Sequence, residues 1–531
     1  MRLLIALILS ATTVGVAESS DAFTYEVFYA FAGGADGGVP AAGLVSDSAG
    51  NLYGTTEFRG TSDWGVVFKL DANGNESVLH SFTGGAEADG STPRAALILD
   101  SDGNLYGTAL QGGTGCGGFT CGVVFKIDST GHESLLHSFD GTDGQSPEAG
   151  LLRDSAGKLY GTTSAGGSGY GVVFSLDTTG KETVLYSFTG AADGAQPLGG
   201  LIADSAGNFY GTTQTGGDFS ACTADGCGVV FKLDPTTGKE TVLYTFTGGA
   251  DGRYPQGDLI EDSAGNLYGM TEGGGGCISG GGCGVVFKVD PLTGMETVLY
   301  TFTGDVDGGH PSKAGLFIDE AGILYGTTAL GGASGGCGGG GCGVIFQLDP
   351  TSGQQTVLYT FTGGADGGQP TAGLIRDSTG NFYGTASTAG ISGNCGIGCG
   401  VVFKLTAGGE SPNITSVAPP EGKVGTPYTH VYAASGAVPI NYSVTMGALP
   451  TGLALSASGR IDGTPTTAGT FEGTVTASNG ISPDATQTFS IRVTSVGAGG
   501  GSNGGGGGGA LELLGVAFLL LLGRVTTEAR R

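Results

Sequence analysis

Short apolar stretches alternate with glycine-bearing turns, and one unit shows how. In AGLLRDSAGKLYGTT (Ala149 to Thr163) two apolar stretches flank Asp-Ser-Ala-Gly, whose glycine allows the positive φ that a tight hairpin needs. In GVVFSLDTTGKETVLYSF (Gly171 to Phe188) a second pair flanks Asp-Thr-Thr-Gly. The last stretch is largely uncharged on both sides, with Val184, Tyr186 and Phe188 expected on one face and Thr183, Leu185 and Ser187 on the other. A sheet apolar on both faces has to be covered on both faces.

The unit recurs. LYGT or a near relative is centred on Tyr53, Tyr106, Tyr160, Tyr210, Tyr268, Tyr325 and Tyr383, at spacings of 50 to 58 residues. A glycine-initiated strand of the GVVFKL type follows each, starting at Gly65, Gly122, Gly171, Gly228, Gly284, Gly343 and Gly400. Four short strands per repeat, stacked face to face around an axis, predict an all-β fold built on a seven-bladed β-propeller. Fourth strands of the ETVLYSF type follow only six of the seven third strands. The orphan TYEVFYAF (Thr24 to Phe31) matches the missing one, so it is expected to pair with Val401 to Leu405 and close the ring.

The ten cysteines form five local pairs, Cys116/Cys121, Cys222/Cys227, Cys277/Cys283, Cys337/Cys342 and Cys395/Cys399, each between the second and third strands of a repeat. Those connections run 12 to 14 residues after the GTT-like triplet, whereas the two without cysteine, ending at Trp64 and Tyr170, run 8 and 7. Long loops are stapled and short ones are capped by an aromatic residue. Disulfides are expected, each contributing roughly 2 kcal/mol. Zinc is the weaker alternative, because no histidine accompanies any pair at ligand spacing.

These loops share one end of the strands with the connections between repeats. There Asp36, Asp89, Asp143, Asp193, Asp251, Asp307 and Asp366 each precede a glycine and, three or four residues on, a proline. They are the candidate ligand- or cation-binding residues. Calcium wants six to eight converging oxygens, and the Asp-x-Asp-x-Asp-Gly spacing is absent, so an Asx-type turn is the favoured role and no cofactor is expected.

Composition changes the picture in two ways. Glycine makes up 111 of 531 residues, but at fixed offsets beside aromatic and β-branched residues, unlike a disordered chain. A net charge of -27 with 21 Lys+Arg argues against nucleic acid as a partner.

Residues 1–17 read as a signal peptide cleaved between Ala17 and Glu18. The propeller is expected over 18–408. From 412 to 496 short alternating stretches with turn signals about every ten residues indicate a β-sandwich. A glycine-rich linker fills 497–509, and 510–531 combines a short apolar helix containing Glu512 with a basic end at Arg524, Arg530 and Arg531.

Three resemblances add to this. LPTGLALSASGRIDGTPTTAGTFEGTVTASNG (Leu449 to Gly480) resembles a bacterial Ig-like family related to cadherin-like modules, which implies an accessory surface module. The tail resembles GlyGly-type C-terminal sorting signals, implying a sorting protease and membrane contact before processing. The DSAGNLYGTT, GVVFKLD and ETVLYSFTGGADG phrases, from Thr24 to about Leu405, resemble the GloVer tandem-repeat family; the sixth repeat departs with DEAGILYG (Asp319 to Gly326). That family has no established activity, so the resemblance implies architecture and an envelope location.

Catalytic residues are not evident. His80, His132, His137, His310 and His430 stand singly, and His80 and His137 occupy the position of Tyr186. The expected function is an exported, envelope-tethered binding, adhesion or scaffold protein that meets a glycan or protein ligand at the cell surface. The alternative is a propeller-type extracellular lyase or hydrolase acting on polysaccharide or another envelope substrate.

Overall fold

Each repeat folds into a small antiparallel sheet, and the third shows why. Its strands are Leu152–Arg153, Leu159–Thr163, Val172–Leu176 and Glu182–Ser187, paired in that order. In the first turn Asp154 Oδ1 accepts the backbone N–H groups of Ala156 and Lys158 at 2.9 Å each, while Oδ2 accepts the Tyr160 hydroxyl at 3.1 Å. The aspartate of DSAG and the tyrosine of LYGT therefore hold each other, and the same bond recurs in all seven repeats. Gly161 faces Phe174 across the ladder, and a Cβ there would lie 2.8 Å from its Cζ. Only a glycine leaves room for the ring.

The computed structural model describes residues 23–495, apart from 85–88, 117–120, 221, 223–224, 277–281, 312, 314, 333–336, 338–339, 391–394, 397, 408–411, 437–439 and 480–483. The expected leader over 1–17 with its Ala17–Glu18 cleavage site, the expected 497–509 linker, the 510–531 segment and Cys277 lie outside the described residues. Among the described residues the fold is all-β, and no helix is long and apolar enough to cross a membrane.

The first, second, third, fourth and sixth repeats each form a four-stranded sheet, and the fifth gains Arg253–Pro255 beside Leu267–Gly273. The seventh sheet takes Ile375–Arg376, Phe382–Ala386 and Val401–Ala407 from the end of the repeat region and Phe23–Ala30 from its start. Phe23 pairs with Ala407, Tyr25 with Leu405 and Ala30 with Val401.

One expectation is corrected. A β-bulge interrupts the third sheet's last ladder, where Val173 faces Tyr186 and Phe174 faces Val184. The extra residue, Leu185, reverses the alternation, so Val184 and Tyr186 lie on opposite faces, and Leu185 and Tyr186 both pack toward the fourth sheet. The other repeats carry the same bulge, and the first strand carries it between Val27 and Tyr29, as a fourth strand should.

Neighbouring sheets meet through aromatic rings. The phenylalanine ending each fourth strand packs edge-on against the third-strand phenylalanine of the next sheet, as in Phe82 on Phe125 at 5.2 Å and Phe188 on Phe231 at 5.3 Å. Such a contact adds about 0.5–1.5 kcal/mol to the burial itself. Phe361 meets Phe403 at 5.5 Å, and Phe31, following the first strand, meets Phe68 of the first sheet at 5.2 Å.

The remaining chain has its own core. Gly422–Lys423, Ala485–Thr494, Gly469–Ser478 and Asn441–Gly447 form one sheet, and Tyr428–Val431, Arg460–Gly463 and Leu453–Leu455 another. Ile461, Val475, Ala477 and Ile491 are fully buried in it.

Candidate functional site

The connections that enter each sheet lie at the same strand ends as the stapled loops. Their seven aspartates are engaged locally. Asp193 accepts the Tyr186 hydroxyl at 3.0 Å, the Thr189 N–H at 2.8 Å and hydroxyl at 2.6 Å, and the Ala191 N–H at 3.2 Å. Burial pushes its carboxyl up, but the bonds from Thr189, Tyr186 and Ala191 outweigh this and hold it below the usual value. Asp251, Asp307 and Asp366 repeat the pattern with Tyr244, Tyr300 and Tyr359, and Asp36 does so with Tyr29 at 3.3 Å.

In the other two repeats histidine replaces the tyrosine. His80 Nε2 lies 2.8 Å from Asp89, and His137 Nε2 2.9 Å from Asp143. The carboxylates thus serve the turn, and among the described residues no group of three or more His, Cys, Asp and Glu could hold a metal ion.

The cysteines lie beside these turns. Cys116–Cys121, Cys222–Cys227, Cys337–Cys342 and Cys395–Cys399 are bonded pairs with Cα atoms 5.2 to 5.8 Å apart, and Cys283 is disulfide-bonded as well. Glycines explain how staple and aromatic cap interchange. A Cβ on Gly248 would lie 2.7 Å from both sulfurs of Cys222 and Cys227, and one on Gly190 or Gly84 would lie 2.4 Å from the ring of Tyr170 or Trp64. The loop glycine is covered by sulfur in one case and by a ring in the other.

Two features of this end escaped the sequence reading. The first is a set of left-handed residues that are not glycine. Val39, Thr92, Ser146, Gln196, Tyr254, His310 and Gln369 have φ between 50° and 63°, and each directly precedes a proline. Each donates its N–H to the carbonyl just before the GVVF strand's glycine in the preceding sheet, as Gln196 does to Tyr170 at 2.9 Å and Tyr254 to Cys227 at 2.9 Å. A Cβ in this conformation costs about 1–2 kcal/mol.

The second is a charged cluster in which Arg94 and Glu148 directly follow those prolines, Lys313 comes two residues after Pro311, and Glu57 follows the strand Leu52–Thr56. Arg94 Nε lies 3.1 Å from Glu57, and Nη1 3.7 Å from Glu148. Glu148 also meets Lys313 and accepts the Ser164 hydroxyl at 3.3 Å, while Gln256 bonds to Glu272. Burial pushes the Glu57 carboxyl up against the opposing pull of Arg94 and Lys313. Lys313 enters the sixth sheet and Glu148 the third, so the pair joins sheets that are not neighbours.

Among known proteins, the Gloeobacter/Verrucomicrobia repeat matches residues 16–224, 115–338 and 223–477. No curated protein matches the chain. Solved structures similar to it include the extracellular domains of two proteins of B. thetaiotaomicron described as hybrid two-component systems. They are 13% and 12% identical, each at a TM-score of 0.44, and the match covers 89% of this chain. The chain spans 57% and 59% of their lengths. A copper-bound fungal alcohol oxidase is 13% identical at a TM-score of 0.45, covering 88% of this chain and 98% of its own. Three overlapping matches from residue 16 to residue 477 take in most of the sequence, and the chain belongs to the Gloeobacter/Verrucomicrobia repeat family.

Proposed function

We propose that the protein is an exported binding protein: a closed seven-bladed propeller over 18–408 presents its stapled loop end to a surface ligand, and an Ig-like module over 412–496 acts as spacer. The 1–17 leader, the bonded cysteine pairs and the 510–531 tail support export and envelope tethering. Support for closure comes from the Phe23–Ala30 pairing and from aromatic contacts that return from the seventh sheet to the first.

One observation carries the binding role. Seven residues accept a left-handed backbone while keeping a side chain, in a chain that uses 111 glycines elsewhere. Six residue types occupy the seven positions, and all but the buried Thr92 are at least partly exposed, which suits display better than architecture. Replacing the seven residues with glycine should hold or raise Tm and abolish binding to cells or polysaccharide. Binding that survives in full would remove this end of the molecule from consideration.

A second reading rests on Glu57, Arg94, Glu148 and Lys313. Because Glu148 and Lys313 join the third and sixth sheets, this cluster would lie at the mouth of the central channel of a closed propeller, where a lyase or hydrolase would place its acid and base. Release of new sugar ends from a polysaccharide, lost in Glu148→Gln, would favour the enzyme.

A further inference from the structure

We infer that the groove between the third and fourth sheets is a binding site for a neutral oligosaccharide, an inference that rests on the binding role proposed above and gives it a ligand class. The groove comes from unequal loops. After the GTT triplet the third repeat needs 7 residues to reach Tyr170, whereas the fourth needs 14 to reach Cys227. A cavity of about 620 Å³ lies between the two, lined among others by Tyr170, Phe219, Tyr254, Gln196, Gln214 and Asp225. That volume suits a small ligand.

The lining has the two chemistries that a sugar ring needs. Tyr170 and Phe219 are 46% and 45% exposed, large aromatic surfaces left in water on separate loops. Tyr170 is held in place because its ring covers Gly190, where a Cβ would lie 2.4 Å away. Flat aromatic faces take the C–H face of a pyranose, and the hydroxyl edge needs donors and acceptors in one plane. Gln196, Gln214 and Asp225 supply them. The Gln196 amide oxygen accepts the Thr215 hydroxyl at 3.3 Å, which orients the side chain, and its amide nitrogen has no partner among the described residues.

Charge narrows the class. Among the described residues the groove's lining contains Asp225 and no lysine, arginine or histidine, and the chain carries -27 overall. Arg253 stands beside the groove with its guanidinium 5.0 Å from the centroid of the Tyr254 ring, but Asp225 in the lining and the acidic chain set the field, so uronic acids and sulfated sugars would meet net repulsion and the ligand class is neutral.

The test uses the full chain on an array of neutral gluco-, manno-, galacto- and xylo-oligosaccharides with uronic-acid oligomers alongside, followed by titration of the best neutral probe. Phe219→Ala and Gln196→Gly should each weaken that binding about tenfold or more. Gln196→Gly should also keep or raise Tm, because glycine relaxes φ 55°. Neutral-sugar binding that neither variant weakens would overturn the groove and leave the binding role standing. Binding confined to uronic acids or to protein would overturn the ligand class. A chain that binds no saccharide and no cell surface would sink the binding role itself.

Discussion

Deleting Phe23 to Phe31 is expected to cost the protein its cooperative unfolding transition. The nine residues supply the outer strand of the seventh sheet, paired from Phe23↔Ala407 to Ala30↔Val401. They also supply Tyr25, whose ring stacks on Tyr359 at 3.8 Å, and Phe31, which is fully buried against Phe68. Loss of the strand would leave the Val401–Ala407 backbone as an open edge, a template for aggregation. Phe31→Ala is the milder version. Truncating a buried phenylalanine costs about 3–5 kcal/mol, a large part of a typical folding free energy of about 5–15. Thermal melts should show Tm lower by roughly 5 °C or more for Phe31→Ala and aggregation for the deletion. Parent-like melting of both would mean that the first strand is not structural.

Replacing Glu76, Glu182, Glu240 and Glu296 together with glutamine is expected to stabilise the protein at pH 7 and flatten its pH dependence. Glu76, Glu182 and Glu296 open the fourth strand of their sheets, and Glu240 is the second residue of its own. Two repeats show what the position does. In the sixth, Gln355 Nε2 donates to the Asp307 carbonyl at 3.2 Å, and in the seventh the Tyr25 hydroxyl donates to the Asp366 carbonyl at 2.5 Å. A glutamate can donate there only as the neutral acid, and each of the four has Oε1 buried without a partner. Burial first, then the charge of Asp36, Asp143, Asp193 or Asp251, pushes each carboxyl up to about 7.

The sign follows from which state holds the proton. Below about pH 4.5 both the folded and unfolded chains are protonated at these sites and their stabilising effect is complete. As pH rises to about 7 the unfolded chain ionises first, so stability falls, by about 1 kcal/mol per site once solvent screening is allowed for. Asp89 and Asp193 act in the opposite sense. Burial raises them, but hydrogen bonds from His80 and Thr83, and from Thr189 and Tyr186, leave both carboxyls depressed, so their contribution is lost as pH falls below about 4. Maximum stability should therefore lie between about pH 4 and 5.

Urea melts of parent and quadruple variant from pH 4 to 8 measure this. A control variant neutralises the exposed Glu320, Glu421, Glu472 and Asp484, removing the same number of carboxyl groups elsewhere. Equal flattening by the control would assign the effect to net charge.

The repeat and the displaced fourth strand were legible because both follow from counting. A period of 50 to 58 residues marks the units, and one strand too few at one end matches one too many at the other. Alternation failed at Leu185 because a bulge inserts a residue without changing the apolar pattern that conceals it. The aspartates were legible as turn residues, but their hydroxyl donors, Tyr186 and its equivalents, depend on how the bulged strand is aimed. Glu57, Arg94, Glu148 and Lys313 come from four repeats, and no local motif announces them. For Arg94 and Glu148 a signal existed in the position directly after each proline, which elsewhere is Ala41, Leu198, Gln256, Ser312 and Thr371. Charge at an otherwise small or neutral position marked where the chain departs from its own pattern.

Closure by the first strand is the claim on which the rest depends, and a cross-link between Glu26→Cys and Lys404→Cys tests it most directly. The two residues face each other in the antiparallel register, and cross-strand partners have Cβ atoms about 4.5–5.5 Å apart. Non-reducing peptide mapping of the purified monomer should find the two introduced cysteines joined to each other, with the native local pairs intact. Introduced thiols that stay free in the folded monomer, or that join only between two chains, would contradict closure within one chain.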